Sequence, residues 1–305
     1  MRIGVIGLGA IGGVTAERLL ARNSLPPWTH QIALAGGHRA KELRATFPEV
    51  HEALPEATYD FILLCTRTSE IEKALGPAVP LLAQDGAAVC LQNGLPEERV
   101  ARLVGPERVL GAVIGWSASM PEPGKYLVTG EGDFILGGAS LRLHEATEIL
   151  QQVFPVRVTR NLAGARWSKL ALNCAMSTLG AVSGLSLGEL AARRDVRRLG
   201  LQIVREVVAA AQAKGVRLEP VAGIQPELLV QSFALIGHTA IWLAARKRPR
   251  QRTGMIARLE QGKPAGVEDL NALIDGPLNQ KLVAMVREIE RGKRQITPQN
   301  LSELS

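Results

Sequence analysis

The sequence is poor in cysteine and in aromatic residues, and it has no long apolar run. Its three cysteines, Cys65, Cys90 and Cys174, lie far apart in no metal-ligand spacing, so the cytoplasm is the expected compartment. None of the five histidines forms an H-x-x-x-H pair, so we expect no metal site. No apolar stretch reaches the roughly 18 residues of a membrane span, and Arg2 leads directly into an apolar segment, so neither a membrane partner nor a signal peptide is expected.

Positive charge is in moderate excess, with 36 Lys and Arg against 29 Asp and Glu. The densest basic run, Arg246–Arg252, has no interleaved aromatic residues and matches no nucleic-acid motif. We therefore interpret it as a solvated turn and expect no nucleic-acid partner. The alternative, DNA binding through this run, predicts strongly salt-dependent retention on DNA. A moderate positive field also suits an anionic cofactor and an anionic substrate.

The first 20 residues, MRIGVIGLGAIGGVTAERLL, contain three glycines in G-x-G-x-x-G spacing: Gly7, Gly9 and Gly12. An apolar strand pattern precedes them and an apolar helical face follows, which is the context that a dinucleotide-binding turn requires. The first glycine allows a tight turn, the second allows close approach of a pyrophosphate, and the third allows close helix packing. The exposed N–H groups of the helix then favour phosphate.

A second strand is predicted over Gln31–Ala35. In a dinucleotide-binding domain, the residues that follow this strand determine whether NAD or NADP is bound. NAD sites usually place an acidic residue here, but this chain has Gly36, Gly37, His38 and Arg39, with no acid before Glu42. A small basic loop suits a 2′-phosphate and so favours NADPH, with Arg39 as its main contact. The alternative is that these charges are only solvated.

Further strands and one helix are expected before residue 161. The segments are Tyr59–Cys65, Gly86–Leu91, Arg108–Trp116, a hairpin of Tyr126–Thr129 with Asp133–Leu136, a helix over Leu141–Val153, and Val156–Thr159. Arg67 follows the strand Tyr59–Cys65, and Asn93 follows the strand Gly86–Leu91. Parallel sheets bind ligands at this carboxyl edge of their strands. Arg67 could instead be a surface residue, and Asn93 could belong only to an Asn-Gly turn.

The pattern becomes helical near Asn161 and stays so to the end of the chain. Alternating strands and helices followed by helices predict two domains, residues 1–162 and residues 163–305. We expect an α/β fold in which an N-terminal Rossmann domain that binds NADP is followed by an all-helical C-terminal domain.

A helix that is mostly apolar begins at Arg166 and contains Lys169 and Asn173. These two residues are four apart and share one face. From the residues alone, Lys169 either extends its amine to solvent or directs it at a ligand.

Several segments together resemble the 2-dehydropantoate 2-reductase (ketopantoate reductase) family. They are GLGAIG at residue 7, QNG at 92, KLALNCAMSTLGAVSG at 169, GEL at 188, MIARLEQGKP at 255 and ITPQN at 296. The resemblance implies an NADPH-dependent reductase whose helical domain is of the 6-phosphogluconate dehydrogenase type and carries the substrate and catalytic residues. In that domain, Lys169 would donate a proton to the ketone oxygen and Asn173 would contact substrate. It also implies that Asn93 helps to hold cofactor and substrate. It likewise implies a basic residue near the cofactor at Arg67. Together with the glycine turn and the basic loop after the second strand, the candidate cofactor-binding residues are Gly7, Leu8, Gly9, Ala10, Ile11, Gly12, His38, Arg39, Arg67 and Asn93.

Four positions depart from the family pattern on its substrate side: Ser177, Leu187, Gly254 and Gly266. The family has an asparagine where Ser177 stands and an acidic residue where Gly266 stands. Ser177 and Glu268, the nearest acid, are therefore the further candidates for binding substrate.

The resulting hypothesis is reduction of a small-molecule 2-oxo acid to a 2-hydroxy acid, first of all 2-dehydropantoate to pantoate in pantothenate biosynthesis. One alternative keeps the fold and changes the 2-oxo acid. A site built on hydrogen bonds discriminates strongly between substrates, so the four altered positions bear on which acid is accepted. Another is an NADPH-binding regulatory protein without turnover. The resemblance further suggests a homodimer through the helical domain.

Overall fold

Strands and helices alternate through the first half of the chain, and helices follow. The computed structural model describes residues 1–23, 30–231 and 250–304. Its contacts divide the chain into two compact units, Met1–Leu162 and Ala163–Ser305, called here the N-terminal and C-terminal units.

The N-terminal unit contains strands in two sheets. Their ranges are β1 (Arg2–Ile6), β2 (Gln31–Ala35), β3 (Val50–His51), β4 (Tyr59–Leu64), β5 (Leu82–Cys90), β6 (Val109–Ile114), β7 (Ser117–Glu122), β8 (Lys125–Gly130), β9 (Phe134–Gly138) and β10 (Val156–Val158). The eight-stranded sheet has the order β10-β9-β6-β5-β4-β1-β2-β3. The strands from β3 to β6 are parallel and follow the 3-2-1-4-5-6 order of a dinucleotide-binding domain, which confirms the predicted Rossmann fold.

Helices cover this sheet because its strands are apolar on both faces. The helices are α1 (Ala10–Asn23), α2 (Ala40–Leu43), α3 (Ile71–Leu75), α4 (Glu97–Val104) and α5 (Leu143–Gln151). Along β4, Phe61 and Leu63 belong to one apolar cluster, whereas Ile62 and Leu64 belong to a second. Such alternation between two buried faces is typical of a parallel sheet within an α/β layer structure.

The predicted hairpin of Tyr126–Thr129 with Asp133–Leu136 is wrong. β8 pairs instead with the preceding β7, and β9 pairs antiparallel with β6 and parallel with β10. β7 escaped prediction because it is short, contains Pro121 and small polar residues, and leads into a turn at Pro123-Gly124. Proline and serine weaken a strand signal in sequence, although an edge strand in a two-stranded sheet tolerates them.

The C-terminal unit is helical, as the sequence predicts. Its helices are α6, which begins at the domain boundary (Leu162–Ser183), α7 (Leu187–Ala192), α8 (Arg194–Ala213), α9 (Pro226–Gln231), α10 (Gly254–Glu260) and α11 (Pro277–Glu290). Within residues 163–231 and 250–304, the β structure is confined to an isolated bridge between Val221 and Ile224. Short 3-10 helices precede and follow α11.

Two sequence interpretations fall partly outside this description. The sequence, with Pro26 and Pro27, predicts a turn over Asn23–His30. Residues 24–29 of it lie outside the described residues, and Asn23 itself ends α1. Residues 246–249 of the basic run also lie outside them. Arg252, at the end of that run, forms an ion pair with Glu260 at 2.7 Å.

In residues 1–23, 30–231 and 250–304, no helix has both the length and the apolar character needed to cross a bilayer. The same part of the chain contains no cluster of three or more His, Cys, Asp or Glu side chains suited to a metal ion.

Candidate active site

The three glycines of the N-terminal turn have different surroundings. Gly7 has a φ of 94°, and a Cβ built on it would lie 2.8 Å from the backbone nitrogen of Thr66. A Cβ on Gly12 would lie 1.9 Å from the carbonyl oxygen of Gly7. A Cβ on Gly9, by contrast, would meet no atom within 4 Å. Gly7 and Gly12 are therefore required by packing, whereas Gly9 leaves open space that a ligand can occupy.

The start of α1 offers backbone donors beside that space. Gly13 N–H donates to the Gly9 carbonyl at 2.8 Å, which starts the hydrogen-bond ladder of the helix. The N–H groups of Ala10, Ile11 and Gly12 precede that ladder and have no acceptor within it. Together with the positive end of the helix dipole, they make this terminus suited to a phosphate group.

The loop after β2 carries the predicted contacts of a 2′-phosphate. Gly37–Arg39 forms a short 3-10 helix, in which His38 is exposed and Arg39 is half-buried. The Arg39 Nε lies 3.2 Å from the carboxylate of Glu42. Arg39 can therefore offer its remaining guanidinium donors to an anion, although Glu42 competes for them.

The loops after β4 and β5 meet at the carboxyl edge of the sheet. The Thr68 hydroxyl donates to the Asn93 carbonyl oxygen at 2.7 Å, which ties the two loops together. Asn93 is exposed, and the Arg67 guanidinium forms an ion pair with Glu70. β1 and β4 are neighbours at the point where the strand order reverses, which is where such sheets bind ligands. The structure therefore brings Arg67 and Asn93 onto adjoining loops at that edge.

Cys65 lies at the centre of the same edge. Its N–H donates to the Ile6 carbonyl at 2.8 Å, and burial raises the pKa of its thiol to about 12. The thiol is therefore neutral at physiological pH and behaves as a small apolar group.

In the C-terminal unit, α6 is almost entirely buried except along one stripe. The half-buried residues of that stripe are Lys169, Leu172, Asn173, Met176 and Ser177. Their spacing of three and four residues places them on a single helix face. Lys169, Asn173 and Ser177 are thus brought together on the accessible face of an otherwise buried helix. We call this face, with its five half-buried residues, the α6 stripe.

A buried chain of polar groups holds α6 from behind this stripe. The Thr178 hydroxyl donates to Asn271 Oδ1 at 2.5 Å, and Asn271 Nδ2 donates to the Cys174 carbonyl at 3.0 Å. Asn271 Nδ2 also donates to Asn279 Oδ1 at 2.8 Å, and Asn279 Nδ2 donates to Glu206 at 2.7 Å. These contacts, called here the Asn271 network, link α6 to α8 and to the start of α11.

The residues that depart from the family pattern lie in three places. Ser177 is on the α6 stripe, and its carbonyl accepts a hydrogen bond from Thr253 Oγ1, next to Gly254, at 3.3 Å. Leu187 is the first residue of α7, and Gly266 adopts a left-handed conformation with a φ of 91°. The Glu268 carboxylate is exposed and accepts two hydrogen bonds from Arg287, at 2.8 and 2.9 Å. Arg287 therefore already occupies one acceptor position on each oxygen of Glu268 and competes with a substrate for this carboxylate.

The sequence did not identify the side chains that support these positions. Thr68 orients the Asn93 loop, and Asn271 orients α6, but neither was among the predicted site residues. Asn271 stands three residues after Glu268, and no local pattern there marks it as a buried hydrogen-bonding residue. Its partners Cys174 and Asn279 are 97 and eight residues away along the chain.

Comparisons with known proteins agree with this architecture. The family described as ketopantoate reductase PanE/ApbA matches residues 3–140, and the C-terminal domain of the same family matches residues 161–290. A 2-dehydropantoate 2-reductase from Mesorhizobium japonicum is 24% identical over 339 residues, which cover 96% of this chain and 99% of that protein.

Solved structures with the same fold include a PanE/ApbA family ketopantoate reductase from Ralstonia eutropha JMP134, with a TM-score of 0.80 and 25% identity. That match covers 96% of this chain and 99% of the other. A D-mandelate dehydrogenase in complex with NADH and anilino(oxo)acetate matches with a TM-score of 0.80, 17% identity and the same coverage, so it shows the fold alone. The chain therefore belongs to the ketopantoate reductase PanE/ApbA family of pyridine-nucleotide-dependent oxidoreductases.

Proposed function

We propose that this protein uses NADPH to reduce 2-dehydropantoate to pantoate, a step of pantothenate biosynthesis. The observation that carries the proposal is the α6 stripe, because it keeps Lys169 and Asn173 accessible on a helix whose other faces are buried. The naming of full-length relatives as 2-dehydropantoate 2-reductases supports the choice of substrate.

The residues of the N-terminal unit fit a dinucleotide. The open space at Gly9 admits a pyrophosphate, and the N–H groups of Ala10, Ile11 and Gly12 are suited to bind it. We assign the 2′-phosphate to Arg39 and His38, which makes NADPH the cofactor rather than NADH. Arg67 and Asn93 hold the nicotinamide side, on the loops that Thr68 joins. When bound, NADPH supplies the hydride that reduces the carbonyl carbon.

The protein itself supplies the proton and the orientation. Lys169, as an ammonium group, donates a hydrogen bond to the carbonyl oxygen of the substrate and then its proton as the alkoxide forms. Asn173, one helical turn further along, orients the substrate on the same face. The Asn271 network fixes α6 and so limits the movement of both side chains.

The substrate side keeps a second candidate open, namely another 2-oxo acid. Ser177 offers one hydroxyl where the family has an asparagine, and Glu268 is held by Arg287. A shorter side chain at position 177 leaves more room for a bulky acid. Hydrogen-bonding sites reject analogues that leave their groups unpaired, so this exchange alters the choice of substrate more than the reaction.

The test is consumption of NADPH by the purified protein, followed by absorbance, with 2-dehydropantoate and a panel of branched and aromatic 2-oxo acids. The highest kcat/KM with 2-dehydropantoate supports the proposal in full. A higher value with another acid replaces the substrate and keeps the reaction. Tight NADPH binding without turnover of any acid would favour a regulatory protein instead.

We also propose a homodimer and a cytoplasmic location. Cys65, Cys90 and Cys174 form no disulfide with one another, which supports a reducing compartment. Light scattering during gel filtration tests the dimer, and fractionation of the source cells tests the location.

A further inference from the structure

The strands β7 and β8 carry a tyrosine onto the glycine turn of the N-terminal unit. The Tyr126 hydroxyl donates a hydrogen bond to the carbonyl oxygen of Leu8 at 3.0 Å, across 118 residues of sequence. Its ring lies over α1 at Gly13, where a Cβ would be only 1.9 Å from the ring atom Cε1. The absence of a side chain at Gly13 is therefore what lets Tyr126 reach Leu8.

Other contacts hold the hairpin of β7 and β8 in this place. The Thr46 hydroxyl donates to the Gly124 carbonyl at 2.8 Å in the turn between the two strands. The rings of Phe47 and Tyr126 are 5.8 Å apart between centroids. Tyr126 is half-buried while its neighbours Lys125 and Leu127 are exposed, so the hairpin uses this side chain as an anchor.

Tyr126 also remains a donor throughout the physiological pH range. Burial, and after it the nearby carboxylate of Glu17, raises the pKa of the Tyr126 hydroxyl to about 12. The Leu8 carbonyl therefore faces a neutral phenol that offers it a proton at any pH at which the protein is assayed.

The contact determines the direction of an N–H group in the turn. A trans peptide is planar, and its C=O and N–H point in opposite directions. Fixing the Leu8 carbonyl against Tyr126 consequently fixes the N–H of Gly9 on the opposite side of the same peptide. Gly9 is the residue of the turn beside which a ligand has open space.

We propose that Tyr126 is a positioning residue for the cofactor: it orients the Leu8–Gly9 peptide so that the Gly9 N–H binds the pyrophosphate. The proposal rests on the dinucleotide-binding function proposed above. It assigns the hairpin of β7 and β8 a role in cofactor affinity, although its side chains need not touch the cofactor.

The test compares Tyr126→Phe with Tyr59→Phe in the full-length protein. Tyr59 is the matched control because it is the other tyrosine of the chain, is buried, and donates to the Pro55 carbonyl at 3.0 Å. Calorimetric titration with 2′-phospho-ADP-ribose, which has the pyrophosphate, and with 2′-AMP, which lacks it, separates the two ends of the site. Loss of one neutral hydrogen bond should weaken binding of NADPH and 2′-phospho-ADP-ribose about fivefold in Tyr126→Phe. Binding of 2′-AMP should not change, and Tyr59→Phe should bind all ligands like the wild type.

Kinetics provides a second readout that a general loss of folding would not produce. In Tyr126→Phe, the KM for NADPH should rise about fivefold while kcat at saturating NADPH stays the same. Gly13→Ala should reproduce this change, because the added Cβ displaces the ring from Leu8. Gly13→Ala therefore also tests the positioning role if Tyr126→Phe proves unstable. Combining both substitutions should weaken binding no further, since they remove the same contact.

Two results would overturn the positioning role while leaving the proposed function in place. One is wild-type affinity for NADPH in both Tyr126→Phe and Gly13→Ala. The other is an equal loss of 2′-AMP binding, which would indicate a loosened domain. Failure of the wild-type protein itself to bind NADPH would overturn the proposed function and this role together.

Discussion

The carbonyl oxygen of Gly7 fills the position that a side chain at residue 12 would need, since a Cβ on Gly12 would lie 1.9 Å from it. At Gly9, two residues after Gly7, a Cβ would meet nothing within 4 Å. Two glycines of one motif therefore serve different purposes, and substitution by alanine separates them.

Gly9→Ala should leave the thermal midpoint within error of the wild type and weaken NADPH binding about tenfold or more, because the methyl group enters the space of the pyrophosphate. Gly12→Ala should weaken NADPH binding and, unlike Gly9→Ala, should also lower the thermal midpoint, because it forces β1 and α1 apart. Calorimetry and fluorescence titration measure both quantities. Unaltered NADPH affinity in a folded Gly9→Ala protein would contradict the assignment of this turn.

Lys169→Ala should lower kcat by about 10²–10⁴-fold, the usual contribution of a general acid, while NADPH still binds. Lys214→Ala, which removes an exposed lysine at the end of α8, is the control and should keep full activity. Steady-state kinetics and NADPH titration measure the two effects. Near-normal turnover without Lys169 would exclude it as the proton donor.

Asn271→Ala should destabilise the protein by about 3 kcal/mol, because it leaves the Thr178 hydroxyl, the Cys174 carbonyl and the Asn279 amide without their buried partner. Asn173→Ala on the α6 stripe should instead raise the KM for the 2-oxo acid with little loss of stability. Chemical denaturation and kinetics on both variants give the comparison. Equal stability losses in the two would show that the stripe is structural.

Arg39→Ala should weaken NADPH binding about tenfold and leave NADH binding unchanged, because only NADPH carries the phosphate that the guanidinium would bind. Glu42→Gln removes the competing carboxylate 3.2 Å from Arg39 and should strengthen NADPH binding about twofold, as expected for an exposed ion pair. Titration of each variant with both nucleotides measures the preference. Parallel changes for NADPH and NADH would place the 2′-phosphate elsewhere.

Asp60 should make stability fall in acid. Burial raises the pKa of its carboxyl, but hydrogen bonds from the Arg2 N–H at 2.7 Å and from Arg142 at 3.2 Å outweigh burial and lower the pKa overall. The carboxylate therefore stabilises the folded state at and above about pH 4, and this contribution is lost as the pH falls further.

Asp60→Asn should thus lower the free energy of unfolding by about 1 kcal/mol at pH 7. Below about pH 4, the stability of this variant should fall less steeply with pH than that of the wild type. Asp85→Asn is the control, because its carboxylate is 3.6 Å from Arg142 but 81% exposed. Urea denaturation between pH 3 and 7 measures both. Parallel pH profiles for Asp60→Asn and the wild type would exclude this source of acid sensitivity.

The parts of the fold that depend on local pattern could be predicted from the sequence. The bounds of β2 agree with Gln31–Ala35, and the strand, glycine turn and helix at the start of the chain follow the expected order. Such elements have apolar periodicity and turn glycines in adjacent residues, so neighbouring positions contain the information.

Contacts between distant residues could not be predicted. β9 pairs with β6 across the intervening β7 and β8, and a single sequence does not show which strands pair. The Tyr126 hydroxyl and the Asn271 amide satisfy polar groups 118 and 97 residues away. The need for these two side chains can be recognised only in the folded structure, where the buried groups that they contact require a hydrogen-bond partner.

The α6 stripe separates two demands that usually conflict. Leu172, Met176 and Ser177 lie at its accessible edge, whereas Cys174 and Thr178 behind them maintain the packing of the helix. Under the proposed function, an exchange at an accessible position would therefore alter which acid is accepted without opening a cavity in the interior. New substrates could then be explored on this surface at little risk to folding, and Ser177→Asn is the first exchange to make in a redesign.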